Sequence, residues 1–229
     1  MCGLFKNIIY FTTIIFVHEL GHFLMAKLLK WKVDKIYFYP YGGYSKFNDD
    51  LNKPKWEELL IMIMGPLVQI LYFIIIKNYL TINELLMFKT YHYSILFFNL
   101  IPIYPLDGGK LLNIFLNYFF SFRKSFKLAI IISYIIFALG CLYLWISHIS
   151  FSLSFVLVLT NLICKLTEEL RKEKFYFHKF LLERYLNPYN FSKLKIIEDE
   201  NQMKRDYKHV FFISGKYYSE REKLRNKFH

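Results

Sequence analysis

Two histidines and a glutamate form the pattern H-E-x-x-H at His18-Glu19-Leu20-Gly21-His22. On a helix this spacing places both imidazoles on one face, about one turn apart, with Glu19 beside them. Imidazole nitrogen is a good zinc ligand, and a catalytic zinc uses three protein ligands and leaves one position for water. Zinc lowers the pKa of that water toward about 7, so a neighbouring glutamate can accept its proton. The pattern therefore predicts a zinc site with His18 and His22 as ligands and Glu19 as the base.

The apolar run around this pattern, residues 8–26, is long enough to cross a bilayer. An ionisable group inside a membrane span costs about 2.5 kcal/mol or more, so such groups need partners. A metal ion would satisfy all three polar side chains together. In a helix exposed to water the same residues could simply be solvated.

The composition favours a membrane protein: of 229 residues 55% are hydrophobic and 21% aromatic, with a mean hydropathy of +0.25. The apolar residues occur in blocks that approach the roughly 20 residues of a membrane span. We predict an all-α polytopic membrane protein with about five transmembrane helices, an interfacial β-hairpin and a small α/β cytoplasmic tail. The predicted spans are residues 8–26, 59–76, 91–106, 128–147 and 149–164.

The formal net charge of +12 is distributed unevenly between the predicted loops. Lys and Arg are frequent in the first loop, in the third loop and in the tail, and scarce in the second and fourth loops. This alternation follows the positive-inside rule and predicts an N-terminus outside and a cytoplasmic C-terminal tail. No helix-turn-helix or aromatic and basic module accompanies the charge, so we expect no nucleic-acid partner.

Asp107 is the candidate third ligand, in the stretch "NLIPIYPLDGGK" at residues 99–110. Its prolines and glycines are expected to break any regular helix around the aspartate, and irregular backbone at membrane depth must line a cavity buried in protein. The predicted topology places Asp107 and His22 at the same membrane face. The alternative is an ordinary turn, since Pro-Leu-Asp-Gly-Gly is good turn chemistry. His92 and His148 are predicted near the outer face, as interfacial or packing residues.

The candidate substrate-binding residues are Asn99, Pro105, Gly42 and Gly43. Asn99 is expected on the irregular segment, where its amide could hold the substrate backbone or an oxyanion. It could equally end a helix before the prolines. Residues 39–44, "YPYGGY", follow a strand-like stretch and predict a hairpin that could pair with an extended substrate. The alternative is an interfacial turn.

The chain is expected to divide into a transmembrane domain with the zinc site, 1–165, and a cytoplasmic regulatory and substrate-binding tail, 166–229. The tail begins with an amphipathic helix, residues 166–186, and its end, "HVFFISGKYYSEREKLRNKF", is predicted to form a strand, a Gly turn and a charged helix. It is too short for a large core of its own. We expect it to dock on the membrane part, on a partner, or on a second copy in a homo-oligomer.

H-E-L-G-H in a membrane span, followed far downstream by N-x-x-P-x-x-P-L-D-G-G, resembles the site-2 protease family of intramembrane zinc metalloproteases. "YPYGGYSKF" and "FLLERYL" are similar to its stage IV sporulation protein FB branch. The resemblance implies Zn²⁺ held by His18, His22 and Asp107, with Glu19 as the base. It also implies cleavage of a membrane-associated precursor, in this branch the pro-sequence of a sporulation sigma factor, and inhibitory membrane partners.

The sequence departs from that branch in three places. The branch usually has one more span before the H-E-x-x-H helix, and the tail is short for its cystathionine-synthase-like domain, so we expect a degenerate form. Gln69 stands where the wider family commonly has asparagine, so no role is assigned to it. The rival interpretations are a catalytically inactive membrane regulator that binds the precursor without cleaving it, and a metal transporter.

Overall fold

The computed structural model of the chain describes residues 2–31, 33–39, 42–47, 51–147, 153–187 and 189–228, with the backbone alone for residues 2–4, 33–39 and 42–47. The chain divides into two compact units. The first contains Met1–Asp49 and Trp56–Ile101, and the second contains Asp50–Lys55 and Pro102–His229.

The described part of the first unit consists of helices and a β-hairpin. Helix α1 spans Cys2–Leu28, α2 spans Lys55–Ile76 and α3 spans Ile82–Leu100. Strands β1 (Val33–Tyr39) and β2 (Gly42–Phe47) pair antiparallel, with Tyr39 opposite Gly42. This confirms the predicted hairpin, while its interfacial position stays a prediction. Pro40 and Tyr41 of the predicted motif lie outside the described residues.

An apolar cluster holds α1 against α3. Ile14 and Ile15 of α1 are buried with Phe88 and Ile95 of α3. Phe73 of α2 stacks on Phe88, with ring centroids 6.1 Å apart. Because α1 carries the H-E-x-x-H pattern, this cluster fixes the helix that presents the two histidines.

Besides Asp50–Lys55, the second unit contains the loop that leads to Asp107 and everything after it. Helix α4 spans Asp107–Phe119, α5 spans Phe122–Ile146 and α6 spans Leu153–Leu186. Strand β3 (Lys193–Ile197) pairs in parallel with β4 (Tyr207–Ile213), and β5 (Lys216–Ser219) pairs antiparallel with β4. A short 3-10 helix, Glu200–Gln202, lies between β3 and β4, and α7 spans Glu220–Phe228. The predicted strand, Gly turn and charged helix are confirmed, and β3 and β5 are additional strands.

One hydrophobic core joins the tail to the start of α5. Phe122 stacks on Phe180 of α6 with ring centroids 4.3 Å apart, and both contact the cluster that includes Phe211 of β4. The backbone N–H of Phe122 donates to the carbonyl of Met203 at 3.0 Å. The sheet and α7 therefore pack onto α5 and α6 rather than forming a separate globule.

Buried polar groups tie the segment before α2 to this tail. The guanidinium of Arg184 donates to Asn52 Oδ1, to the carbonyl of Tyr207 at 2.7 Å and to that of Lys204 at 3.0 Å. Asn52 Nδ2 donates to Glu183 at 3.2 Å. Burial lowers the pKa of Arg184 to about 10, so the side chain remains charged at neutral pH.

Three helices in the described part of the chain are long and apolar enough to cross a membrane: Phe5–Leu28, Lys55–Ile76 and Phe122–Ile146. They expose large apolar side chains such as Phe16, Ile75 and Leu139, as a lipid-facing surface does. These helices coincide with three of the five predicted spans, and the count of five is not confirmed. Of the other two predicted spans, residues 91–106 fall partly in α3, and residues 149–164 overlap the start of α6, a single helix of 34 residues.

Two local predictions were wrong. The loop expected between the predicted spans 59–76 and 91–106 is largely helical, because Thr81 and Glu84 form a capping box that starts α3 at Ile82. Gly108 and Gly109 do not break the helix but lie in the first turn of α4. A Cβ at Gly109 would lie 2.5 Å from backbone atoms of residues 103 and 104, so glycine permits the close approach of that turn to the preceding loop.

Candidate metal centre

His18 and His22 lie one turn apart on α1, and both side chains are almost completely buried. Their rings meet edge to face, with centroids 4.9 Å apart, and the two Nε2 atoms are 3.2 Å apart. The structure thus brings together the two imidazoles that the sequence predicted as ligands. Glu19 is also buried, at 8% exposure.

A backbone carbonyl orients His22. Its Nδ1 lies 2.7 Å from the carbonyl oxygen of Ile61 in α2. Because a carbonyl can only accept, Nδ1 carries the proton and donates it, and Nε2 is left with a lone pair. Metal-binding histidines commonly hold their other ring nitrogen in this way.

Two glycines make room for this arrangement. A Cβ at Gly21 would lie 2.5 Å from the carbonyl oxygen of Met64, so α1 and α2 approach closely at this point. A Cβ at Gly65 would lie 2.3 Å from Nε2 of His22. Gly21 therefore allows α1 and α2 to pack closely, and Gly65 leaves room for the imidazole of His22.

Gln69, to which the sequence assigned no role, contacts one of the two histidines. It is completely buried in α2, and its Oε1 lies 2.9 Å from Nδ1 of His18. The replacement of the family's common asparagine by glutamine was the only sequence signal, and it suggested no contact.

The spacing of the two imidazoles fits a zinc ion. Two nitrogens that bind one tetrahedral zinc at about 2.0–2.1 Å lie about 3.3 Å from each other. The Nε2 atoms of His18 and His22 are 3.2 Å apart, and both are buried. Two buried imidazole nitrogens at this separation are therefore a donor pair that suits a metal.

Asp107 is the first residue of α4 in the second unit and is 7% exposed. Its Oδ1 lies 3.3 Å from Nζ of Lys110, and a carboxylate in the first turn of a helix is favoured by the helix dipole. The loop before it is fixed because the N–H of Tyr104 donates to Ser133 Oγ at 3.0 Å. The sequence predicts Asp107 as the third ligand after His18 and His22, and its buried carboxylate is a suitable donor.

The remaining candidate residues lie elsewhere. Asn99 is half-buried in the last turn of α3, so the expectation that it lies on the irregular segment was wrong and it occupies the helix-ending position. Pro105 is half-buried in the loop before α4, after a cis peptide bond. Gly42 and Gly43 begin β2. His92 is buried in α3, and His148 lies outside the described residues.

Several known proteins are similar to this chain. The model of Peptidase family M50 matches residues 6–84. Stage IV sporulation protein FB of Bacillus subtilis (strain 168) is 32% identical over 191 residues, which are 81% of this chain and 66% of that protein. A zinc metalloprotease of Methanocaldococcus jannaschii is 33% identical over 133 residues, 53% of this chain and 37% of that protein. The chain thus spans just under two thirds of the first relative and about a third of the second.

A solved structure shows the same fold. The site-2 protease from Methanocaldococcus jannaschii is similar with a TM-score of 0.55 and 28% sequence identity, over 70% of this chain and 76% of that one. In the described residues, three helices are long and apolar enough to cross a membrane, and the two histidines of H-E-x-x-H lie buried side by side. The chain belongs to the site-2 protease family, Peptidase family M50, whose members are zinc metalloproteases.

Proposed function

We propose that this protein is an intramembrane zinc metalloprotease in which His18, His22 and Asp107 hold one zinc ion. The observation that carries the proposal is the pair of buried Nε2 atoms 3.2 Å apart. Two imidazoles and one carboxylate are a common donor set of catalytic zinc, which leaves a fourth position open for water. The buried carboxylate of Asp107 supplies the third ligand.

Glu19 is the general base of the proposed reaction. When zinc is bound, it polarises a water molecule and the peptide carbonyl of the substrate. The Glu19 carboxylate accepts a proton from the attacking water and passes it to the amide nitrogen of the departing chain. Water is thereby added across the peptide bond, and Glu19 returns to its ionised form. Its burial keeps bulk water from competing for that proton.

The proposed substrate is a membrane-associated precursor that is cleaved at the cytoplasmic side, in particular the pro-sequence of a sporulation sigma factor. The name of the Bacillus subtilis relative supports a link to sporulation. The basic first and third predicted loops and the basic tail support the cytoplasmic side, because positively charged segments remain there. Inhibitory membrane partners and a homo-oligomer belong to the same proposal.

Asn99, Pro105, Gly42 and Gly43 are the proposed substrate contacts. In the described residues, β1 and β2 form a sheet of two strands, so each strand has one edge on which an extended peptide can pair. Glycines at the start of β2 allow another backbone to approach closely.

The proposed role of residues 166–229 is to bind the substrate and regulate its cleavage. The outer face of the tail sheet exposes Leu194, Ile196, Phe212 and Tyr217, while the other face packs into the core. Removal of residues 188–229 is expected to abolish cleavage, and unchanged cleavage would reject the role. Leu194→Glu tests the exposed face alone, with Ser192→Glu, which adds the same charge at an exposed position just before β3, as the control.

The first experiment compares the wild type with Glu19→Gln, each co-expressed with a tagged sigma-factor precursor. Cleavage and zinc content are measured in both. We expect Glu19→Gln to retain zinc and lose cleavage, whereas Glu168→Gln, the same change at an exposed position of α6, should affect neither.

Other outcomes separate the rival functions. A wild type that binds zinc and the precursor without cleaving it would favour the inactive regulator. Absence of zinc from the intact protein would refute the three-ligand site. Asp107→Asn tests the third ligand directly, because an amide is a much weaker zinc ligand than a carboxylate.

A further inference from the structure

The buried amide of Gln69 joins a metal-binding histidine to the backbone of another helix. Its Oε1 lies 2.9 Å from Nδ1 of His18, and its Nε2 donates to the carbonyl oxygen of His92 at 2.9 Å. The side chain is 0% exposed. Three helices therefore meet at one amide: α1 through His18, α2 through Gln69 and α3 through His92.

The carbonyl of His92 determines which way this amide faces. A backbone carbonyl only accepts hydrogen bonds, so the NH₂ group of Gln69 must face it and the oxygen must face His18. The opposite orientation would bring two acceptor oxygens within 2.9 Å of each other. Buried acceptors that face one another without a proton are costly.

The orientation of the amide in turn determines the proton position on His18. Because Gln69 Oε1 is an acceptor, Nδ1 of His18 must carry the proton. The lone pair of His18 is then on Nε2, as that of His22 is through the carbonyl of Ile61. His22 reaches its carbonyl directly, whereas His18 reaches one through Gln69.

The imidazole of His92 has a separate role. It stacks on Phe73 with ring centroids 4.5 Å apart and an interplanar angle of 17°. Its Nδ1 lies 3.4 Å from Gln69 Nε2, farther than the 2.9 Å to the carbonyl oxygen. The link to His18 thus depends on the backbone of α3 rather than on the His92 side chain.

We propose that Gln69 is a positioning residue that fixes the metal-binding tautomer of His18 through its hydrogen bond to the backbone carbonyl of His92. The inference rests on the proposed function because that function makes His18 a zinc ligand. It adds a residue and a mechanism that the motif H-E-x-x-H does not contain. Loss of such a hydrogen-bond partner typically weakens metal binding by about 10–100-fold.

The test measures zinc affinity of the purified full-length protein by competition with a chelator, and the visible absorption spectrum after cobalt substitution. Gln69→Leu keeps the approximate volume and removes both hydrogen bonds. Gln69→Glu keeps an acceptor for His18 but cannot donate to His92 when ionised. His92→Phe keeps the ring stack and the backbone carbonyl, and serves as the matched control.

We expect zinc affinity to fall in the order wild type, Gln69→Glu, Gln69→Leu, with a loss of about 10–100-fold for Gln69→Leu and an altered cobalt spectrum. His92→Phe should bind zinc like the wild type. A residue that only fills space would give the opposite order, since leucine fits an apolar site better than a carboxylate does. If Gln69→Leu does not fold, Gln69→Asn replaces it, because its side chain is one methylene too short to contact both partners.

The outcomes distinguish the two proposals. Wild-type zinc affinity in Gln69→Leu, or weaker binding by Gln69→Glu than by Gln69→Leu, would overturn this inference and leave the proposed function intact. A large loss in His92→Phe would overturn the assignment of the link to the backbone. A wild-type protein without zinc would overturn the proposed function, and this inference with it.

Discussion

Gly65 offers a test of the site with a single methyl group. A Cβ at this position would lie 2.3 Å from Nε2 and 2.4 Å from Cε1 of His22, whereas ordinary van der Waals contact begins at 3.4 Å. In Gly65→Ala the imidazole or the helix must therefore move by about 1.1 Å. The ring cannot swing freely, because Nδ1 of His22 is bound to the carbonyl of Ile61 on the same helix α2.

A displacement of this size is large for a metal ligand. Zinc–nitrogen distances in a working site vary by only about 0.2 Å. We expect Gly65→Ala to weaken zinc binding by at least about tenfold, the lower end of the loss seen when a ligand's supporting hydrogen bond is removed. Helix propensity alone would stabilise the fold of this variant, since alanine is favoured over glycine inside a helix by about 1 kcal/mol.

Gly140→Ala is the matched control. Gly140 lies in α5, and a Cβ there would meet nothing within 4 Å. Both variants are purified in detergent, and zinc stoichiometry is measured by mass spectrometry and affinity by chelator competition. We expect loss of zinc in Gly65→Ala alone. Wild-type affinity in Gly65→Ala would refute the packing argument, and equal loss in Gly140→Ala would show that the contact with His22 is not the cause.

Three further predictions concern the second unit. Arg184→Ala should destabilise the tail by about 3–5 kcal/mol, because it leaves the buried partners of the guanidinium unpaired. Hydrogen exchange should therefore rise in residues 51–55 and 193–228, and Arg184→Lys should not restore protection. Unchanged exchange would contradict this prediction. Burial lowers the pKa of His209 below its usual 6.5, so the unfolded chain binds a proton more readily than the folded chain does. The stability of the tail should therefore fall as the pH drops below 6.5. His209→Gln should remove this pH dependence from denaturation curves. Gly109→Ala should weaken zinc binding while Gly140→Ala does not, because the added Cβ would meet the loop backbone before Asp107; equal zinc content would count against that reasoning.

The parts of the site that sequence predicted are those set by local geometry. Positions four residues apart on a helix share a face, so the pairing of His18 with His22 follows once residues 8–26 are taken as helical. The hairpin followed equally from strand-forming residues beside paired glycines, and its register places Tyr39 opposite Gly42. Each of these features depends on neighbours close along the chain.

The errors arose where a local signal had two meanings. Thr81 and Glu84 sit in a stretch that was polar enough for a loop, yet their side chains cap a helix and begin α3 there. Gly108 and Gly109 were interpreted as helix breakers, since glycine is disfavoured in helices. Glycine is needed at position 109 because the helix lies against the backbone of residues 103 and 104, a contact that no local sequence pattern reveals. Asn99 was expected in the irregular segment because prolines follow it, but α3 continues to Leu100 and ends only just before Pro102.

The contacts of Gln69 could not be predicted from the sequence because they involve three helices at once. A comparison of motifs registers only that glutamine replaces asparagine, and in a span a buried amide has no assigned partner. In the structure the longer side chain contacts both Nδ1 of His18 and the carbonyl of His92, each at 2.9 Å. An asparagine on the same backbone would be one methylene shorter and could not make both contacts without moving α2. The length of the glutamine side chain therefore matches the distances from α2 to α1 and α3, which only the folded chain shows.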